Sequence, residues 1–202
     1  MSARIEDYGM IGDCETIALV GRDGSIDWLC WPRFDSAACF AALLGTPANG
    51  RWLLAPASAI KSSTRKYRAH TLILETRFET AEGAVTVIDF MPPRSGHSEL
   101  IRIVRGESGQ VQMQMDLVIR FDYGLSVPWV SSLGDGLLQA IVGPDLIVID
   151  GGVALAPSDG TVTTEFTIRA GETVPFVIMH GPSHLPAPWP ISATAALAQT
   201  QR

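Results

Sequence analysis

The stretch VQMQMDLVIR, residues 111–120, decides the fold, because its apolar and polar side chains alternate almost without a break. A period of two places successive side chains on opposite faces of a β-strand. One face of this strand carries only apolar residues: Val111, Met113, Met115, Leu117 and Ile119. The other face is polar except at Val118. The segment is therefore predicted to be a strand with one buried face.

The same pattern continues on both sides of this strand. Residues 161–169 alternate in the same way, and residues 72–80 and 84–90 form a hairpin pattern around a Glu82–Gly83 turn. Further apolar runs are bounded by Gly, Pro and Asp, at residues 100–104, 137–142, 146–149 and 174–179. About ten or more strands at this spacing cannot remain one flat sheet. The sequence predicts an all-β fold over residues 1–181, a many-stranded, supersandwich-like antiparallel β-sandwich.

Two segments depart from the strand pattern. Asp35 and Ser36 precede the helix-forming stretch AACFAALL and Gly45, which predicts a short helix near residues 36–44. Residues 182–202 contain several prolines and then an Ala-, Gln- and Leu-rich stretch. This tail is predicted to be a C-terminal Pro-rich linker and the start of a helix that is too short to be stable in water without packing.

Composition and charge argue against several classes of partner. The net charge is -6 over 202 residues and the basic residues are scattered, which excludes a patch for nucleic acid or for an anionic membrane. The opening MSARIEDYGM lacks the apolar run of a secretion signal, and no segment has the length of a membrane span. Cys14, Cys30 and Cys39 lack CxxC spacing, which argues against disulfides or zinc. A cytoplasmic protein is expected.

The stretch RDGSIDWLCWPRFDS, residues 22–36, carries the strongest chemical signal. Asp23–Gly24 fits a tight hairpin turn, and Pro32 ends the strand that follows. An aromatic and charged cluster surrounds this proline: Trp31, Arg33, Phe34 and Asp35. Such a cluster suits a sugar ring, whose C–H face packs on an aromatic ring and whose hydroxyls bind Arg or Asp. A hairpin with an aromatic core is the simpler explanation of the tryptophans taken alone.

Residues 8–45 resemble the opening of the glucoamylase and trehalase family of glycoside hydrolases (family fifteen), in which a β-sandwich precedes a helical catalytic barrel. The segment RFDYGLSVPWV, residues 120–130, also resembles this family, in which an FDYG turn followed by a Pro-Trp pair recurs. We expect Tyr123 and Trp129 to pack at a strand corner there. The resemblance implies the non-catalytic N-terminal domain of an enzyme that hydrolyses α-glucosidic bonds, in trehalose or α-glucan oligosaccharides, with inversion.

The resemblance also implies a site. The loop PRFDS, residues 32–36, resembles the segment that family members direct toward the mouth of the barrel. A substrate-side role is therefore expected for the same cluster: Trp31, Arg33, Phe34 and Asp35. In the resembled family the two catalytic groups are Glu residues on barrel loops, and nothing in this chain matches those motifs. No catalytic residue is assigned, and the isolated chain is expected to be inactive.

The remaining candidate groups have simpler interpretations. The isolated carboxylates are interpreted as turn formers and caps: Asp13, Asp27, Asp35 and Asp89. His180 and His184 have the spacing that binds a metal on a helix, but Gly181 and Pro182 between them prevent the helix. No metal and no cofactor are expected.

The expected partners are the chain's own C-terminal (α/α) barrel, an α-glucoside substrate and, as a further possibility, a second copy in a homo-oligomer. Two alternatives remain open. One is a stand-alone carbohydrate-binding module that uses Trp31 and Trp52 as exposed platforms. The other is a purely structural or oligomerising sandwich. Flat exposed tryptophan faces would favour the module, whereas a large apolar patch would favour docking.

Overall fold

The computed structural model describes residues 4–202. These residues form a 15-stranded sheet and one α-helix, α1, at Ala193–Thr200. The strands in chain order are β1 Gly9–Gly12, β2 Ile17–Val20, β3 Ser25–Cys30, β4 Ala38–Phe40, β5 Arg51–Pro56, β6 Ser62–Tyr67, β7 Leu74–Glu79, β8 Gly83–Phe90, β9 Ser98–Val118, β10 Trp129–Gly134, β11 Leu137–Val142, β12 Asp145–Gly151, β13 Ala156–Ser158, β14 Thr161–Arg169 and β15 Thr173–Pro182. Short 3-10 turns lie at Ile5–Asp7, Ala42–Leu44, Pro47–Asn49 and Asp122–Gly124. No helix of this part of the chain is long and apolar enough to cross a membrane.

The strands pair antiparallel and form two layers that share β9. The first layer has the order β1-β2-β3-β5-β9-β14-β13 with β4 beside β3, and the second has the order β6-β7-β8-β9-β15-β12-β11-β10. The first half of the 21-residue strand β9 pairs with β8 and β15, and its second half pairs with β5 and β14. Between the halves, a Cβ on Gly106 would lie 2.0 Å from the Arg169 carbonyl oxygen, so only glycine fits. The predicted antiparallel sandwich is confirmed.

The core lies between the two layers, where the alternation in β9 predicts it. The inward-facing residues of the second half of β9, and Ile119 just after it, are each at most 2% exposed: Val111, Met113, Met115, Leu117 and Ile119. Phe166 of the first layer and Phe176 of the second layer meet across the core, with ring centroids 5.6 Å apart. Removal of this apolar surface from water is the main force that holds the layers together.

The second layer is apolar on its outer face as well. This face carries a second buried cluster that includes Ile101, Val148, Val177 and Met179. Helix α1 packs there through Ala193 and Ala196, and Ser192 caps its first turn. Because both faces are covered, the runs at residues 146–149 and 174–179 are apolar without alternation. Packing also supplies the stability that so short a helix lacks in water.

The helix predicted near residues 36–44 is wrong. The chain forms the strand β4 at Ala38–Phe40 and then a 3-10 turn at Ala42–Leu44. Phe40 pairs with Leu29 of β3, and every residue of β4 is buried. Burial against β3 therefore outweighs the helix propensity of the alanine-rich stretch, which is a weak local preference.

An ion pair lies inside the sandwich. Asp89 of β8 and Arg102 of β9 have side chains that are 0% exposed, and Arg102 Nε donates to Asp89 Oδ1 at 2.8 Å. The same guanidinium donates to the carbonyl oxygens of Trp52 at 2.6 Å and Gly24 at 2.8 Å, both in the first layer. Asp89 is therefore not the turn former or cap that we predicted. It balances a buried guanidinium that bridges the two layers.

Candidate functional site

The loops that carry the predicted site gather at one end of the sandwich. Trp31 Nε1 donates to Ser98 Oγ at 2.9 Å, where β9 begins. The Trp31 ring also lies 5.9 Å from the ring of His180 near the end of β15, measured between centroids. Arg120, just after β9, donates its backbone N–H to the Cys39 carbonyl of β4 at 3.2 Å. Both ends of β9 therefore lie at this end of the molecule, which we call the loop end.

Asp13 is the hub of the loop end. Its side chain is 0% exposed and accepts hydrogen bonds from Arg94 Nη2 at 2.8 Å, from Ser98 Oγ at 2.7 Å and from the backbone N–H groups of Glu15 and Thr16. Burial acts to raise the pKa of Asp13, but the hydrogen bonds from Ser98, Arg94 and the backbone outweigh it and lower the pKa below its usual value. Asp13 forms the turn we predicted and is also a buried, stabilised anion.

The main chain of residues 31–36 is fastened to this hub. Arg94 Nη2 donates to the Pro32 carbonyl at 2.7 Å, and the Phe34 N–H donates to the Glu15 carbonyl at 3.0 Å. Arg94 Nη1 also reaches Glu15 Oε2 at 3.2 Å. Together with the buried indole at the start of the loop, these bonds fix the backbone at three places. The remaining side chains are therefore presented in a defined arrangement.

The four predicted site residues occupy two different settings. Trp31 is only 4% exposed and anchors the loop, whereas Phe34 is 64% exposed. The side chains of Arg33 and Asp35 are 56% and 64% exposed, and their Nε and Oδ1 atoms lie 3.1 Å apart. No α-helix begins at Asp35, so the role of helix cap that we predicted for it is wrong. The loop thus presents one aromatic ring and one ion pair to solvent.

The tryptophans are exposed in places that the sequence did not indicate. Trp31 and Trp52 are 4% and 0% exposed, so neither is the flat platform that the carbohydrate-module alternative requires. Trp129, which we expected to be packed, is 78% exposed. Its backbone pairs with Ile141 of β11. Ile141 pairs in turn with Leu146 of β12, and Leu146 pairs with Gly181 near the end of β15. Trp129 therefore also lies at the loop end.

The FDYG turn is part of the same surface. Tyr123 is 49% exposed and Leu125 is 86% exposed. Asp122 and Tyr123 have φ values of 51° and 60°, in the left-handed region, which costs on the order of 1 kcal/mol or more for each such residue. The Tyr123 ring lies 6.2 Å from the Trp28 ring between centroids, so it packs on one side only. A strained turn with exposed apolar side chains is more typical of a contact surface than of a structural corner.

One buried carboxyl group was not singled out from the sequence. Glu99 is 7% exposed, and burial raises its pKa. The negative charge of Asp13 raises this pKa further, whereas Arg94 lowers it.

Within residues 4–202 no group of three or more His, Cys, Asp or Glu side chains is arranged to hold a metal. His180 lies on β15, where its Nε2 is 3.0 Å from Asp145 Oδ1.

The anchoring residues Arg94 and Ser98 were also missed, for a physical reason. They are 81 and 85 positions from Asp13 in the chain, and hydrogen bonds over such separations leave no periodic pattern in the sequence. The available signal was the Gly12–Asp13 turn just before the site motif, which indicates a bend and not its distant partners.

Comparison with known proteins identifies the family. The profile of the family described as "Trehalase-like, N-terminal" matches residues 1–177. A trehalase of Mycolicibacterium smegmatis is 34% identical over 164 residues, which cover 70% of this chain and 24% of that protein. Trehalase 1 of Sulfolobus acidocaldarius is 34% identical over 133 residues, which cover 66% of this chain and 22% of that protein. A trehalase of Thermoplasma volcanium is 28% identical over 141 residues, which cover 67% of this chain and 23% of that protein. The chain spans about a quarter of the length of the relatives it matches. By a profile match over most of its length, the chain belongs to the family of trehalase-like N-terminal domains.

Proposed function

We propose that this chain is the non-catalytic N-terminal domain of a glycoside hydrolase. The full-length enzyme hydrolyses an α-glucosidic bond, in trehalose or a short α-glucan, with inversion. Membership of the trehalase-like family supports this proposal, as do relatives that carry the name trehalase and of which this chain spans about a quarter.

The catalytic groups are proposed to lie on a C-terminal (α/α) barrel. Inversion needs a carboxylic acid and a carboxylate about 6.5–9.5 Å apart, with room for a water between them. At the loop end Asp13 is buried and stabilised as an anion, Glu99 is buried, and Asp35 is paired with Arg33. Burial keeps Asp13 and Glu99 from reaching a substrate, so these three carboxyl groups do not form an acid and base pair around one. We therefore expect no release of glucose by the isolated chain, and no cofactor is invoked.

The observation that carries the proposal is the rigid mounting of the loop at residues 31–36. Trp31 anchors it from behind, and the outward side chains match what a pyranose ring needs. Phe34 offers an apolar face to the C–H side of the ring, while Arg33 and Asp35 offer a donor and an acceptor to its hydroxyls. We propose that this loop forms one wall of the substrate entrance in the full-length enzyme.

The test uses the full-length enzyme with Arg33→Ala, Phe34→Ala and Asp35→Asn. Each variant should lower kcat/KM roughly fivefold to 150-fold, because it removes a contact to the sugar. This decrease corresponds to a loss of transition-state stabilisation of about 1 to 3 kcal/mol. The melting temperature should remain unchanged. The matched control is Arg105→Ala, because Arg105 and Glu107 form another exposed pair two positions apart, at 2.8 Å on β9. Loss of stability with unchanged specific activity in the loop variants would show that the loop is only scaffolding.

A second candidate role, docking, is favoured by the apolar turn at the loop end. Tyr123 and Leu125 are 49% and 86% exposed, and we propose that the enzyme's own barrel covers them. In the isolated domain, a second copy would cover them and form a homo-oligomer. Leu125→Ser should then reduce association in sedimentation velocity. Ile60→Ser, at a residue that is 40% exposed before β6, is the control and should leave association unchanged.

We also propose that the protein is cytoplasmic. Cys14, Cys30 and Cys39 are all free thiols, and two of them are buried, which fits a reducing compartment. Alkylation in freshly lysed cells should find all three reduced; a disulfide-linked form would contradict this placement.

A further inference from the structure

A groove beside Trp129 lies at the loop end and is lined by none of residues 31–36. It has a volume of about 450 Å³ and runs between residues 127–130 and residues 157–160, which are the end of β13 and the turn to β14. Small-molecule sites have volumes of about 300–1,000 Å³, so the groove has room for a ligand of that class.

One wall of the groove is an aromatic ring held at its base. Trp129 begins β10, the edge strand of the second layer, and its backbone pairs with Ile141. Pro128 restricts the backbone just before it. The indole is nevertheless 78% exposed. The backbone at Trp129 is therefore fixed, and most of the indole surface is free to contact a ligand.

The opposite wall is a tight turn fastened to the end of β9. Arg120 Nη1 donates to the Gly160 carbonyl at 2.7 Å. Asp159 and Gly160 have φ values of 47° and 72°, the left-handed geometry that an Asp-Gly hairpin turn requires. A Cβ on Gly160 would lie 2.7 Å from Val127 Cγ1, so the two walls are in contact at the base of the groove. The groove is thus formed by the fold itself.

The groove also carries polar groups that face solvent. Ser158 and Asp159 are both exposed, and within residues 4–202 neither side chain takes part in a hydrogen bond or an ion pair. A hydroxyl and a carboxylate next to an indole suit a pyranose ring, whose C–H face stacks on the aromatic surface while its hydroxyls donate to the carboxylate.

We propose that this groove binds a neutral hexopyranose unit of an α-glucoside, by stacking on Trp129 and by hydrogen bonds to Asp159. The Asp159 carboxylate and the net charge of -6 disfavour an anionic ligand. The choice of an α-glucoside rests on the proposed function, whereas the binding of a hexopyranose does not. The binding site is separate from the loop at residues 31–36 and holds sugar without cleaving it.

The experiment titrates the 202-residue chain with maltotriose and with trehalose, while the indole resonances are followed by NMR. Saturable shifts of the Trp129 indole are expected for at least one of these sugars. Trp129→Ala should weaken binding at least about tenfold and Asp159→Asn severalfold, while Trp129→Phe should retain part of the affinity. The matched control is Trp189→Ala, which removes another exposed indole, 67% exposed in the tail, and should leave binding unchanged. Circular dichroism checks that each variant is folded.

Three outcomes would overturn the proposal. The first is no saturable shift with any sugar, including glucose and galactose, at concentrations up to the solubility limit. The second is an equal loss of binding in Trp129→Ala and Trp189→Ala. The third is tighter binding of choline than of sugar, because a cation beside an indole and a carboxylate is the competing ligand. If galactose binds as well as glucose, the groove stands but the choice of an α-glucoside fails.

Failure of the groove and failure of the proposed function are separable. Hydrolysis of trehalose or maltotriose by the full-length enzyme tests the proposed function, and it does not require Trp129. Sugar binding by the 202-residue chain tests the groove, and it does not require the barrel. A full-length enzyme that hydrolyses no α-glucoside, beside a domain that binds a hexose through Trp129, would overturn the first and leave the second intact.

Discussion

The Asp89–Arg102 pair and the Asp13–Arg94 pair use the same residue types in different parts of the sandwich. In the first pair both side chains are 0% exposed, and the guanidinium reaches from one layer to the backbone of the other. In the second pair Arg94 is 14% exposed and reaches the backbone of the site loop. The interior pair therefore bridges the two layers of an apolar core, whereas the loop-end pair orients a surface. The same pair of residue types bridges the layers in one place and fixes the loop of a candidate site in the other.

The largest expected effect is on the interior pair. Arg102→Met leaves Asp89 as an unpaired carboxylate between the layers, which should lower the free energy of unfolding by about 3–5 kcal/mol in urea denaturation. The control is Arg105→Met, at an arginine of the same strand that is 43% exposed and should change stability by no more than about 0.5 kcal/mol. A loss of less than about 1 kcal/mol at Arg102 would mean that Asp89 does not depend on this guanidinium to balance its charge.

A smaller effect is expected at the loop-end pair, and it depends on pH. Because the folded-state pKa of Asp13 is lowered, its contribution is fully present above the ordinary Asp pKa of about 3.9 and is lost as pH falls through the folded-state value. Asp13→Asn should cost about 1–3 kcal/mol at neutral pH and flatten the loss of stability in acid. Hydrogen exchange at the Phe34 N–H should accelerate in this variant. An unchanged acid limb and unchanged exchange would contradict the role of Asp13 as hub.

The carboxyl group of Glu99 should show the opposite sign. Its folded-state pKa is raised, so the folded state binds its proton more tightly and stability falls as pH rises from the ordinary Glu pKa of about 4.3 through the folded-state value. Glu99→Gln removes this loss, so the stability of this variant relative to the unmodified chain should increase with pH. Thermal unfolding at pH 4 and pH 7 measures the difference; a decrease between these values would exclude the assigned cause.

The smallest effect on stability is expected at the exposed pair of the site loop. Arg33→Ala in the 202-residue chain should change the free energy of unfolding by no more than about 0.5 kcal/mol, because exposed ion pairs contribute little. Urea denaturation beside Arg105→Ala provides the comparison. A loss as large as that of Asp13→Asn would assign the pair to the hub and not to the surface.

Alternation of apolar and polar residues in the sequence correctly predicted the strands that have one buried face. The alternation from Val111 to Ile119 correctly indicates which face of β9 is buried. The same reasoning gave the wrong element at residues 36–44, because the burial of Ala38 and Phe40 against β3 is a tertiary effect that exceeds helix propensity. The expectation that Trp129 packs at a strand corner was also wrong, because the residue begins an edge strand and is 78% exposed.

The substrate-side role of the motif at residues 31–35 stays a prediction. The motif indicated residues 31–35, and their proximity in the chain guarantees that they share a loop. Which of them faces solvent was decided by contacts with Asp13, Arg94 and Ser98, at separations of up to 85 positions.

The amino-acid sequence by itself determined the strand-rich architecture, the family and the position of the candidate site loop, since these depend on period, turn residues and a contiguous motif. Only the tertiary structure decided that Trp31 is an anchor and that Phe34, Arg33 and Asp35 face outward. It also decided that the carboxyl groups of Asp13 and Glu99 have pKa shifts of opposite sign. The physical reason is that burial and hydrogen bonding depend on which distant segments meet, and at the loop end those segments meet only when β9 brings both of its ends to the same side of the sandwich.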